Sequence, residues 1–148
     1  MSNNQKRKAW IDSDGVIHHA TDEPDFVKLY YEHLSFVVGL AKNDHNILYK
    51  LLTYMGYDHS IFITLGMKKV IAVELGISSH KVIEQSIKRI VDSNILAKER
   101  PGHYIVNPFL LAKGSWDAVK DKQKKGVRSI KFGLDYCSNG IKLSVEKN

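Results

Sequence analysis

The sequence predicts a mixed α+β fold, mainly helical, and three observations carry that expectation. Apolar residues recur at three- and four-residue steps over 26–40, 44–55 and 83–91, the spacing of helices with one buried stripe. Gly76 separates the helix carrying Val70, Ile71, Val73 and Leu75 from the one carrying Ile83, Ile87, Ile90 and Val91. Short β-rich runs stand on either side of this pair, and the two that follow it are joined at Pro101-Gly102, a turn dipeptide. Helix, strand, two helices and a hairpin make the order of a winged helix-turn-helix. Here it carries an N-terminal β-hairpin and a C-terminal basic extension. The boundaries read as a basic disordered tail over 1–9, a winged-helix DNA-binding domain over 10–116, and a basic extension over 117–148 able to form a terminal hairpin.

Taken in order, the tail is polar and carries Lys6, Arg7 and Lys8. Trp10-Ile11 and Val16-Ile17 bracket Asp12-Ser13-Asp14-Gly15, whose Asp-Gly end signals a hairpin. His18 and His19 follow; neighbours in a strand point to opposite faces, so they do not share one metal ion. Thr21-Asp22-Glu23-Pro24 reads as a loop into a helix from Phe26 to about Leu40. Asp44 is placed to cap the next helix, which runs to Met55 and ends at Gly56. Ile61-Phe62-Ile63 is the first strand of the wing sheet, and Thr64 caps the helix of Ala72. Gly76 supplies the positive φ of a tight inter-helix turn, Ile77 covers that turn, and Ser78 and Ser79 offer hydroxyls to the next helix. After the wing, Asn107-Pro108 starts a short helix over Phe109–Ala112 that stops at Lys113-Gly114. Ser115 or Trp116 leads into Asp117-Ala118-Val119-Lys120, and strand-like fragments flank Ser138-Asn139-Gly140, an Asn-Gly hairpin signal.

Composition narrows the function classes. The chain has 148 residues, 43% apolar and 26% charged, as expected of a soluble globular protein. Its longest apolar run, Phe36–Ala41, is too short to span a membrane, and its start lacks an apolar signal region. With a single cysteine, Cys137, the expectation is a cytoplasmic protein without an internal disulfide. The net charge of +6 favours polyanionic partners, and it gathers in the tail and at Lys120, Lys122, Lys124, Lys125, Arg128 and Lys131. No phosphate loop, zinc-spaced Cys/His cluster, nucleophile elbow or repeated acidic motif is present, so no cofactor, no metal and no enzymatic activity are expected.

The helix opening at Ser79 is the expected reading element. Ser79 and His80 lie at its N-terminal end, where amides and hydroxyls meet phosphate or a base edge. Lys81 and Gln85 are the candidate base readers, since lysine suits guanine and glutamine suits adenine. Lys88 and Arg89 are candidate phosphate contacts, and Lys98, Arg100 and His103 belong to the wing. A homodimer is expected because one helix reads few bases, with the 26–40 and 44–55 helices as candidate interface.

With these residues in view, the chain resembles the RepL-type plasmid replication proteins of Gram-positive bacteria over roughly Ile11 to Trp116. The likeness rests on Ile11-Asp12 with Gly15-Val16-Ile17, on Phe26–Tyr30, on Gly76-Ile77-Ser78, and on Ile95–Lys98. Its sharpest part is Gly102–Gly114, where a glycine, a strand, Asn-Pro and an aliphatic segment end in Lys-Gly. The resemblance implies a winged-helix protein that binds double-stranded DNA at an origin, supports replication initiation and copy maintenance, and recruits host replication proteins. The same surface would serve a transcriptional repressor, and a winged helix also serves as a protein–protein adaptor without DNA; the residues leave both open.

Overall fold

The computed structural model describes residues 9–19, 26–30, 34–137 and 140–147. The tail with Lys6, Arg7 and Lys8, the loop Thr21–Pro24, the side chains of His18 and His19, and the Ser138-Asn139 turn lie outside the described residues.

Strands β1 (Ala9–Ile11) and β2 (Ile17–His19) form the expected antiparallel ribbon. Asp12 builds its turn by accepting the backbone N–H groups of Asp14 and Val16 on Oδ1, at 3.0 and 2.9 Å. Gly15 takes the positive φ of +80° that the turn needs.

The expected helix over 26–40 is corrected. Lys28–Leu29 is a strand, β3, and among the described residues of this stretch the helix is Leu34–Val38, α1. β3 pairs antiparallel with β7 (Leu111–Ala112), and the Tyr30 N–H donates to the Leu110 carbonyl at 3.1 Å. Apolar residues at 26, 27, 29 and 30 fit either period, and the distant partner strand decides between them. The same pairing overturns the expected helix over Phe109–Ala112. The Asn107 carbonyl accepts from the N–H groups of Leu110 and Leu111, its side chain accepts from Phe109 N–H, and after that single turn the chain is extended.

Helix α2 (Lys42–Leu52) begins at Ala41 with no side-chain cap, so Asp44 does not cap it, and it ends at Thr53, short of Gly56. Asp44 instead lies buried in the first turn. Then come β4 (Ser60–Phe62), α3 (Leu65–Glu74), α4 (His80–Asp92), β5 (Leu96–Arg100) and β6 (His103–Val106). The three strands form one antiparallel sheet in the order β4-β6-β5. Helix α5 (Trp116–Lys125) leads to β8 (Ile130–Cys137) and β9 (Gly140–Lys147), a long hairpin paired throughout.

The three-stranded sheet is buried on both faces. Alternation along its strands sends Leu96, Tyr104 and Val106 into the main core with Ile47, Leu51 and Ile90 of the helices. Ala97 and Ile105 face the other way, onto Val127, Ile130 and Phe132. The C-terminal hairpin therefore covers the sheet face turned from the helices. Asn94 Nδ2 donating to the Leu143 carbonyl at 3.0 Å, and Arg128 bridging Glu99 and Asp58, fix it there.

Candidate nucleic-acid interface

Local chemistry explains the helix pair. The Thr64 hydroxyl accepts Met67 N–H to start α3, and the Ser79 hydroxyl accepts Lys81 N–H at 3.2 Å to start α4. Between them Gly76 sits at φ +66°, and the Ile77 N–H reaches back to the Ala72 carbonyl at 2.8 Å. That bond closes a helix end with a left-handed residue, as the Ala72–Gly76 spacing predicts. Asn94 leaves α4 at φ +61°, a conformation its short amide tolerates.

Ile83, Ile87 and Ile90 anchor α4 inward, each at most 3% exposed. Lys81, Glu84, Gln85 and Lys88 face solvent, while Ser79 and His80 are partly covered at the helix start. Lys81, Gln85 and Lys88 stand four and three residues apart, so they line one face over about 10 Å.

Arg89 behaves differently. Its Nε donates to Asp44 Oδ2 at 2.9 Å and its Nη2 to Oδ1 at 2.8 Å, with a further bond to Ser86 Oγ at 3.1 Å. The Asp44 side chain is 2% exposed, and the Arg89 hydrogen bond holds its carboxyl below the usual range against the opposing pull of burial. This pair ties α4 to α2.

The β5–β6 hairpin contributes one lysine to the same side. Lys98 stands opposite Tyr104, on the face turned to α4, whereas a register shift before Arg100 places Arg100 opposite His103. His103 shares the other sheet face with Phe62, and their rings meet at 4.4 Å. Lys98 joins Lys88 around a cleft of about 380 Å³, whereas Arg100 and His103 belong to the hairpin tip and its far face.

Three further residues of this cleft escaped sequence reasoning. Lys68 of α3 lies in it and pairs with Glu84 of α4 at 3.2 Å. Tyr104 forms its floor, its hydroxyl pushed up in pKa by burial and then by the charge of Glu84. Nothing local in the sequence links positions sixteen or twenty residues apart; only the folded helix pair brings them together. The cleft thus carries three lysines against one carboxylate, a net cationic lining suited to phosphate. Among the described residues no three His, Cys, Asp or Glu side chains gather as a metal site, and no helix is long and apolar enough to cross a membrane.

A family model described as Firmicute plasmid replication protein (RepL) matches residues 8–128. No curated protein and no solved structure matches the chain.

Proposed function

The chain belongs to the RepL family of plasmid replication proteins, and from that premise we propose that it binds double-stranded DNA at a plasmid origin through α4. In this reading α2, β4, α3, α4 and the β5–β6 hairpin are a winged helix-turn-helix, with α4 as recognition helix and the hairpin as wing. The single observation that carries it is the polarity of α4: isoleucines in the core, and Lys81, Gln85 and Lys88 free to face a groove. Lys98 extends that cationic side from the wing, and Lys68 adds to it from α3. Arg89 is withdrawn from the reading set, because Asp44 occupies its guanidinium. The protein marks the origin for replication and copy maintenance in the cytoplasm, and leaves catalysis to the host machinery it recruits.

The test is fluorescence anisotropy of the full chain on origin DNA and on random duplex of equal length. Affinity for the origin falls steeply with salt, because each phosphate contact releases counterions. Gln85→Ala lowers the preference for the origin at one base pair, by about 1–3 kcal/mol. Equal weakening on both duplexes would refute Gln85 as a base reader. A salt-independent interaction would favour the adaptor, and footprints confined to a promoter would favour the repressor.

A further inference from the structure

The N-terminal ribbon shows more apolar surface than a two-stranded unit holds in water. Trp10, Ile11, Val16 and Ile17 are each 52–67% exposed. A lone hairpin of six paired residues is at best marginally stable, so an apolar surface of this kind needs a cover.

A second feature matches it. An open groove of about 460 Å³ runs between α2 and the β3–β7 pair, lined by Phe26, Val27, Leu29, Tyr49, Leu52 and Leu111. Among the described residues, none that lines it comes from the ribbon. The charges complement as well: Asp14 is exposed at the acidic turn of the ribbon, and Lys113 lies at the groove. We infer that this groove receives the β1–β2 ribbon of a second copy of the chain, each protomer giving its ribbon to the other.

The areas support a pair of such contacts. At the exposures given, Ile11 and Ile17, which share one face of the ribbon, present roughly 240 Å², and Phe26, Leu29 and Tyr49 of the groove roughly 320 Å². Two reciprocal contacts would bury roughly 1,100 Å², just above the least that a specific protein–protein interface needs. The arrangement is isologous, so it closes as a dimer instead of growing as a fibre. It also leaves α4 uncovered. Tyr49 follows Asp44 by five residues, about 140° around α2 from the side that grips α4 through Arg89.

Sedimentation equilibrium of the full chain tests this. The unaltered protein is dimeric at micromolar concentration. A ribbon variant, Ile11→Lys with Ile17→Lys, and a groove variant, Leu29→Glu with Tyr49→Glu, each raise the dimer dissociation constant by at least about 100-fold. All four positions are 42–67% exposed, and circular dichroism reports whether each variant keeps its helices. Mixing the variants decides the geometry. The mixed pair has one unaltered contact and one in which the ribbon's lysines meet the groove's glutamates, so the mixture dimerises more tightly than either variant alone. A monomeric unaltered protein, a dimer indifferent to both variants, or a mixture that stays monomeric would each overturn the reciprocal exchange. The inference stands apart from DNA binding, which the anisotropy experiment reads on its own.

Discussion

Removing the Arg89 guanidinium gives the sharpest check on how α4 is held. Arg89→Ala strands the Asp44 carboxylate, 2% exposed, with the Ser86 hydroxyl as its remaining side-chain partner. Breaking a buried ion pair by deleting one partner costs about 3–5 kcal/mol. Arg89 itself is 51% exposed, so water can enter where it stood, and the expected loss is nearer 2–3 kcal/mol. Asp44→Ala leaves a guanidinium that can turn to solvent, and costs less. The double variant should therefore lose less than the two single losses summed, by about 1–2 kcal/mol. Urea denaturation followed by circular dichroism measures all three at pH 7, with an unchanged m-value as the sign that the same structure unfolds. Because the folded Asp44 carboxyl titrates below its ordinary value, its stabilisation is present above about pH 4 and fades as pH falls through the depressed value. Arg89→Ala should abolish that part of the acid dependence. Strict additivity, or a single-variant loss below about 0.5 kcal/mol, would refute the account of α4 as a helix clamped to α2. The same variant separates structure from recognition: it should leave the salt slope of DNA binding unchanged, whereas Lys88→Ala should reduce that slope by about one.

Two other perturbations test the frame. His59 is fully buried; its Nε2 accepts Lys113 N–H at 3.3 Å, and burial, then the charge of Lys122, pull its pKa down to about 4. The unfolded chain binds a proton there from about pH 6.5 downward and the folded chain does not, so stability should decline from pH 6.5 towards 4, by up to about 3 kcal/mol. His59→Asn, which suits the φ of +64° at this position, should flatten the decline between those pH values, and an unaltered decline would reject His59 as its source. Gly126→Ala would set a Cβ 2.3 Å from the Ile130 carbonyl at a φ of +82°, whereas a Cβ at Gly76 meets nothing within 4 Å. Melting curves should show Gly76→Ala costing about 1–2 kcal/mol from backbone strain alone, and Gly126→Ala clearly more. Equal losses would contradict the packing of the C-terminal hairpin.

What could be read from the sequence follows the range of the interactions involved. The Thr64 and Ser79 caps, the Gly76 turn, the inward isoleucines of α4 and the Pro101-Gly102 hairpin depend on residues within a few positions, and each appears where its local chemistry puts it. The β3–β7 pair joins residues more than eighty positions apart, so the periodic apolar residues of 26–40 and 109–112 suggested helices that a distant strand replaces. The pairing of Arg89 with Asp44 was illegible for the same reason: the carboxylate lies forty-five positions away, and no spacing rule points to it. Lys68 went unnoticed because it reaches the interface only through the crossing of α3 and α4.

The β4-β6-β5 sheet, whose hairpin is the wing in the function proposed above, shows how one strand can serve two packing problems at once. Period-two alternation assigns Leu96 to the helices and Ala97 to the C-terminal hairpin, and Lys98 keeps to the helix side beside Lys88. Past Lys98 the register shifts, so Arg100 aligns with His103 in place of continuing the row that begins with Leu96 and Lys98. Glu99, at that irregularity, accepts Arg128 from the extension, which ties the tip end of the hairpin to residues beyond α5. A wing anchored from behind is a stiff element. It holds Lys98 in fixed relation to α4 and so limits the ordering needed when a polyanion binds, because a preorganised surface loses less freedom on association. If the proposed DNA binding holds, the C-terminal hairpin contributes to it without touching DNA, through the β5–β6 hairpin it immobilises.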